Sequence, residues 1–423
     1  MNLRNEKLLK IVIICILAST AIVSIGHLTF KSYTNNHFDN ERWGLDLYQF
    51  WYGGKFLLEG KNPYNELFLQ RTLEYQHVTD YHQQEPLNQV MDRSRKVHIV
   101  PASAPIFLLL APLSIFPWIS ATLIWLLVNI ALGVLFVWII LNCMEKNLFT
   151  LDGLLLLSLF FSLISTRQVF ELGQTSLIVA TFMWLSFLVL PHSALLSGVL
   201  LGIAFSKFTL ALPMIFYFAC RRKIKVLLYC CLTQALGLMI LCIITQTNPI
   251  TTLEAYLNSS KITLKQTQSF TVHLSAIPWG NLSTLLGWVI TAATLLVPWW
   301  CLFRREFTNS GRLSALTLIS IFSFWSLLVL YHGRQDMIII LPFIAMVLFR
   351  INGQAVSNFD TFSVSKIEYF IINGICGLIF FVWIFPIYII TGLDFYRSLY
   401  TICTIAAFAT SLRLLFSIHK QTS

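Results

Sequence analysis

A chain of 423 residues that is 57% hydrophobic and 11% charged, with a mean hydropathy of +0.72, lies far from soluble composition, in which charged residues make up about a quarter. It reads as a polytopic membrane protein whose spans are helices, since lipid offers backbone groups no other partner, and the ten-residue polar/apolar alternation of a β-barrel is missing. The net charge of +10 falls mostly in short loops between apolar runs, the pattern of topology signals and not of a nucleic-acid surface.

In chain order, MNLRNEKLLK is followed by an apolar run over residues 11–30. The run is long and no small-x-small site closes it, so it is expected to be an uncleaved first helix and not a signal peptide. Further spans are expected at 103–117, 118–142, 151–166, 175–190, 194–220, 225–245, 282–303, 313–331, 336–349, 367–391 and 399–417. The expected fold is therefore an all-α, polytopic transmembrane bundle of about twelve spans. Residues 194–220 fit either one tilted helix or two short ones, and 103–117 is short and interrupted by proline.

Basic residues set the orientation. Arg4, Lys7, Lys10, the RRKIK run at 221–225, Arg304, Arg305, Arg312, Arg350, Lys366 and Lys420 are expected on the cytoplasmic side, with both termini. Residues 31–100, 246–281, 331–335 and 391–398 then face outward, and the same count puts 166–174 on the cytoplasmic side, a placement that a re-entrant path would reverse. All nine cysteines, Cys15, Cys143, Cys220, Cys230, Cys231, Cys242, Cys301, Cys376 and Cys403, fall in or beside apolar segments, which indicates neither a disulfide framework nor a Cys metal site.

Residues 31–100 have too few aliphatic runs to fold alone. Within them LYQFWYGGKFLL is dense enough in apolar and aromatic residues to lie as an interfacial helix, with Trp and Tyr at headgroup depth. Asp46, just before this run, is either a first-turn acid favoured by the helix dipole or a general base acting at the membrane surface. Tyr48, Trp51 and Tyr52 follow at helical spacing, Gly60 and Pro63 end the helix, and Tyr64 comes after the turn. Such rings suit stacking on a pyranose and suit an interfacial belt equally.

The stretch DLYQFWYGGKFLLEGKNPY, residues 46–64, resembles the signature of an Asp, aromatics, a small-rich helix and G-x-x-P-Y found in integral membrane glycosyltransferases of the GT-C superfamily. It is most similar to the polyprenol-phosphate-mannose-dependent mannosyltransferases of the phosphatidylinositol mannoside type. Four further pieces follow in register: VPASAPIFLLLAPLSIFP, a Pro-punctuated span; ELGQTSLIVA, like G-Q-x-N-x-L-L; LLSGVLLGIAFSKFTLALP, like G-x-x-x-G-x-A-x-x-x-K-x-x-P; and LYHGRQDMIIILP, like a late outer loop. The resemblance runs from Asp46 to Pro342. Ser176 stands where that family tends to have Asn, a departure that matters little chemically, and His98 to Pro101 lacks its Tyr-rich run.

The resemblance implies a GT-C-like fold and an inverting transfer of one sugar, mannose by default. The partners would be a polyprenyl-phosphate-linked donor and a lipid or glycan acceptor, on the non-cytoplasmic face of the cell membrane. Because the leaving group is already a phosphate, one carboxylate acting as general base suffices, which assigns that role to Asp46. His332 and Arg334 are expected at the departing phosphate, His332 as a catalytic residue; otherwise these basic turn residues meet lipid headgroups. Lys207, Tyr48, Tyr52, Tyr64, Gln174 and Asp336 are expected to bind phosphate or substrate. An ionisable group inside an apolar span is costly, so Lys207 otherwise snorkels or pairs with Glu171. Asp336 otherwise coordinates a divalent ion or orients His332, and Lys261 and Lys265 either reach lipid phosphate or are solvated.

His77, Asp80, His82 and Glu85 match no ligand spacing, so no metal or other cofactor is indicated. Phosphate loops, dinucleotide fingerprints and hydrolase triads are likewise missing. Two rival readings remain: a transporter or flippase, with Lys207 and Asp336 as translocation charges, and an O-antigen ligase or polymerase. The first predicts paired repeats with broken helices. The second has its large loop late in the chain.

Overall fold

A computed structural model describes residues 3–34, 44–64, 103–266, 312–329 and 334–351. The spans expected at 282–303, 367–391 and 399–417, and residues 65–100 of the first loop, lie outside the described residues. Every regular element among those described is helical. They are α1 (Leu3–Thr34), α2 (Leu45–Leu58), α3 (Ala104–Leu110) running into a 3-10 turn (Ala111–Ile115), α4 (Trp118–Cys143), α5 (Leu151–Ser162), α6 (Ile164–Leu172), α7 (Ser176–Val189), α8 (Ala194–Ala204) with a 3-10 turn (Phe205–Lys207), α9 (Phe208–Cys220), α10 (Ile224–Thr245), α11 (Pro249–Gln266), α12 (Arg312–Val329), a 3-10 turn (Arg334–Ile340) and α13 (Leu341–Ile351).

Four stretches are long and apolar enough to cross a bilayer: Lys7–Gly26, Trp118–Cys143, Ala194–Cys220 and Ile224–Thr245. A fifth arises if Leu151–Ser162 and Ser165–Leu172, bent by 54°, are taken as one. The protein is thus a helical membrane protein. Its core is aromatic and aliphatic, with Phe136, Phe160, Trp184, Phe218, Phe322 and Phe324 fully buried. At the periphery, α1 turns Leu8, Leu9, Ile16, Ile22 and Val23 outward, a surface suited to lipid, while Lys10 ties it to Asp152 at the start of α5 at 3.2 Å.

The longest of these stretches is not a single crossing. A straight helix from Gly198 to Cys220 would be about 33 Å long, and the chain from Cys220 to Val226 reaches about 20 Å at most. Yet a Cβ placed on Gly198 would lie 2.7 Å from the Val226 carbonyl oxygen. The chain must therefore fold back, and it does so at Lys207, whose φ of −118° and ψ of 79° leave the helical region. Both legs flank α7: Ser197 Oγ donates to Ser186 O at 2.8 Å, and the Tyr217 ring sits 5.5 Å from that of Phe187. Residues 194–220 are two short helices meeting at a lysine.

Residues 166–174 are also relocated. The span count set them on the face opposite Asp46, whereas Gly44 N–H donates to Glu171 O at 2.8 Å, beside the start of α2. The physical reason is the extended backbone of Leu163, with φ −64° and ψ 138°, where α5 stops. After this bend α6 runs on to the Asp46 end, so that α5 and α6 act as two halves of one path.

Candidate active site

Helix α2 is held at both ends by glycine. Gly44 precedes it with φ 66°, and Asp46 in the first turn is stabilised by the helix dipole. At the other end Gly60, with φ 74°, forms a Schellman motif: Gly60 N–H donates to Leu57 O and Lys61 N–H to Phe56 O. The helix is fastened to the Ala111–Ile115 turn by Ser114 Oγ donating to Trp51 O at 2.7 Å and by Trp51 Nε1 donating to Phe116 O at 3.0 Å.

The turn between α6 and α7 supplies the facing groups. Gly173 has φ 67°, and its N–H and that of Gln174 donate to Phe170 O and Val169 O, a second Schellman motif. Its carbonyl accepts from Trp125 Nε1 at 3.1 Å, and a Cβ here would lie 2.6 Å from Leu47 Cβ. No other residue type fits both the backbone and the space. Gly173→Ala is expected to cost about 1–3 kcal/mol and to lower transfer by displacing Gln174; thermal unfolding in detergent and a transfer assay check both.

This frame brings together four residues expected from the sequence. Gln174 Nε2 donates to Asp46 Oδ2. Lys207 Nζ donates to Asp336 Oδ1 at 2.5 Å, to Ser176 Oγ at 2.8 Å and to Gln174 Oε1 at 3.4 Å, and Ser176 Oγ donates to Asp336 Oδ1 at 2.6 Å. Asp46, Gln174, Ser176 and Asp336 are all buried. The ion-pair partner of Lys207 is thus Asp336 and not Glu171. Ser176, which sequence reasoning treated as a minor departure, belongs to the centre of the network, and the only signal for it was its place in the G-Q-x-N-like motif.

Burial pushes the Asp46 carboxyl up from the usual range to about 7, against the opposing pull of the Lys207 charge and the Gln174 hydrogen bond. A carboxylate with that proton affinity is suited to take a proton at neutral pH.

The aromatic residues separate from this centre. Successive helical residues are about 100° apart, so Tyr48 and Tyr52 cannot share the Asp46 face of α2. They stack on each other at 5.3 Å, and Tyr48 meets Trp118 edge-on at 5.5 Å, while Lys55 lies 3.9 Å over the Trp51 ring. Tyr64 is buried against Phe107 and Tyr256, away from the carboxylates, and burial pushes its hydroxyl pKa well up. Arg334 opens the turn that carries Asp336. His332, His77, Asp80, His82 and Glu85 lie outside the described residues. Among those described, no three His, Cys, Asp or Glu side chains are grouped to hold a metal.

A family model described as glycosyltransferase family 87 matches residues 104–330, a little over half of the chain. The matched part contains Gln174, Ser176 and Lys207. No curated protein and no solved structure matches the chain significantly. With a helical membrane fold built around a buried carboxylate network, and a family model covering most of the helices that build it, the chain belongs to glycosyltransferase family 87.

Proposed function

We propose that this membrane glycosyltransferase moves one sugar, mannose, from a polyprenyl-phosphate-linked donor to a hydroxyl of a lipid or glycan acceptor on the non-cytoplasmic face, with inversion. The surrounding fold is proposed as a single GT-C-like domain over residues 1–423, an all-α bundle of about twelve apolar segments with both termini cytoplasmic. Residues 31–100 form its large outer loop and carry the base. Asp46 takes the acceptor hydroxyl proton while the acceptor oxygen bonds to the anomeric carbon; the bond from that carbon to the phosphate oxygen breaks, and the phosphate leaves with the electron pair. His332 and Arg334 meet the charge that develops on it.

The observation that carries this reading is the buried Asp46 carboxyl, held by Gln174 and poised at about 7. Family membership takes precedence over the transporter and ligase readings. Transfer of radiolabelled mannose from polyprenyl-phosphate-mannose to membrane lipids by the purified protein, with Asp46→Asn beside it, is the test. Product from both proteins would remove Asp46 from the mechanism.

A pH profile adds a second check. The base works only when ionised, so kcat/KM is expected to rise about tenfold per pH unit below about 7 and to level off above it. A flat profile between about pH 5 and 9 would contradict a base with this proton affinity.

A further inference from the structure

An ammonium group has three N–H donors and no acceptor. All three donors of Lys207 are taken by protein oxygens, on Asp336, Ser176 and Gln174, and none is left for a phosphate. The network also has a direction. Lys207 can only donate, so Gln174 must turn its Oε1 toward it, and the planar amide then offers Nε2–H to Asp46. A flipped amide would set donor against donor at Lys207 and acceptor against carboxylate at Asp46. Ser176 is oriented in the same way, accepting from Lys207 and giving its O–H to Asp336.

We infer that Lys207, Asp336, Ser176 and Gln174 form a positioning unit that aims the Asp46 carboxylate and sets its proton affinity, and that Lys207 is not a ligand of the departing phosphate. This rests on the reading of Asp46 as the base. The unit's two charges act on Asp46 in opposite senses, Lys207 favouring the ionised form and Asp336 opposing it, with Lys207 the stronger.

Among the described residues, few other charges face this point. Of the elements packed on α2, α3 and the Ala111–Ile115 turn carry no titratable side chain. In α4 the one titratable group is Cys143, at the far end from Trp118. Along α10 lie Lys225, Tyr229, Cys230, Cys231 and Cys242, and on α6 an exposed Arg167 and Glu171. Helix α2 itself adds Tyr48, Tyr52 and Lys55, with Glu59 at its C-cap.

The experiment is a pH titration of the full chain in lipid nanodiscs, followed by infrared difference spectroscopy. The Asp46 carboxyl band is assigned by its loss in Asp46→Asn. The wild-type midpoint is expected near 7. Lys207→Met is expected to move it up by about one pH unit, Gln174→Leu to move it up as well, and Asp336→Asn to move it down. Lys207→Met combined with Asp336→Asn should fall between wild type and the single Lys207 variant. This pair removes both buried charges together, and carries the test if Lys207→Met does not fold.

Equal midpoints in wild type and the double variant would overturn the inference. So would mannose-transfer kinetics in which the Lys207 variants raise KM for the lipid-phosphate donor while the rising pH limb stays in place, because that is the signature of a phosphate ligand. A wild type that transfers no mannose counts against the proposed donor, and the infrared midpoints still decide the positioning unit.

Discussion

Asp46→Asn is expected to insert and fold as the wild type does and to lose at least about 100-fold in kcat/KM above pH 7, the contribution of a well-placed general base. The substitution is isosteric, and the Asn oxygen can still accept from Gln174 Nε2, so the contact between α2 and the Gly173 turn is kept. Stability should separate from activity. The Asp46 carboxyl is raised from its ordinary value to about 7, so the folded wild type loses stability as pH climbs from the usual carboxylate range through about 7. The Asn variant has no proton to lose there, and its unfolding temperature should equal or exceed that of wild type at neutral pH and above. Thermal scans at several pH values, alongside transfer assays, measure both. An Asn variant that unfolds earlier would make Asp46 a structural residue.

Lys207→Met is expected to destabilise the protein by about 3–5 kcal/mol, because it removes the cation that pairs with the buried Asp336 carboxylate. The side chains of this pair are only 13% and 1% exposed, so solvent offers little compensation. Combining Lys207→Met with Asp336→Asn should return most of that loss, since replacing a buried pair as a whole is often close to neutral. Unfolding in a detergent and denaturant series of the two variants would show it. If the double variant is no more stable than the single one, the pair is not the source of the loss.

Much of the site could be named from the chain alone, residue by residue, and very little of its geometry. Asp46 stood out as a carboxylate before an aromatic helix, Lys207 as an ion in an apolar run, and Gln174 as part of a Gly-Gln turn. Their meeting depends on pairings across 128 and 129 residues, which no local pattern encodes. The bend after Leu163 was hidden because one extended residue inside an apolar run leaves hydropathy unchanged. Ser176 was undervalued for a similar reason: its hydroxyl looked interchangeable with an amide until it was seen to accept from Lys207 and donate to Asp336 at once. The aromatic face is a different case. A two-residue offset on a helix already separates Tyr48 from Asp46.

The fold-back at Lys207 also changes the parity of the chain's threading. Ala194–Cys220 has 27 residues and is apolar enough to span, so a translocon sampling length and apolarity alone would pass it as one crossing. As a hairpin it adds no net crossing, so Arg221, Arg222, Lys223 and Lys225 finish on the side where Ala194 began, and α10 runs in the reverse direction to the one a single crossing would impose. Tags inserted after His192 and after Arg222 should therefore report the same compartment, and the basic run at 221–225 becomes a retention signal that holds the second leg back.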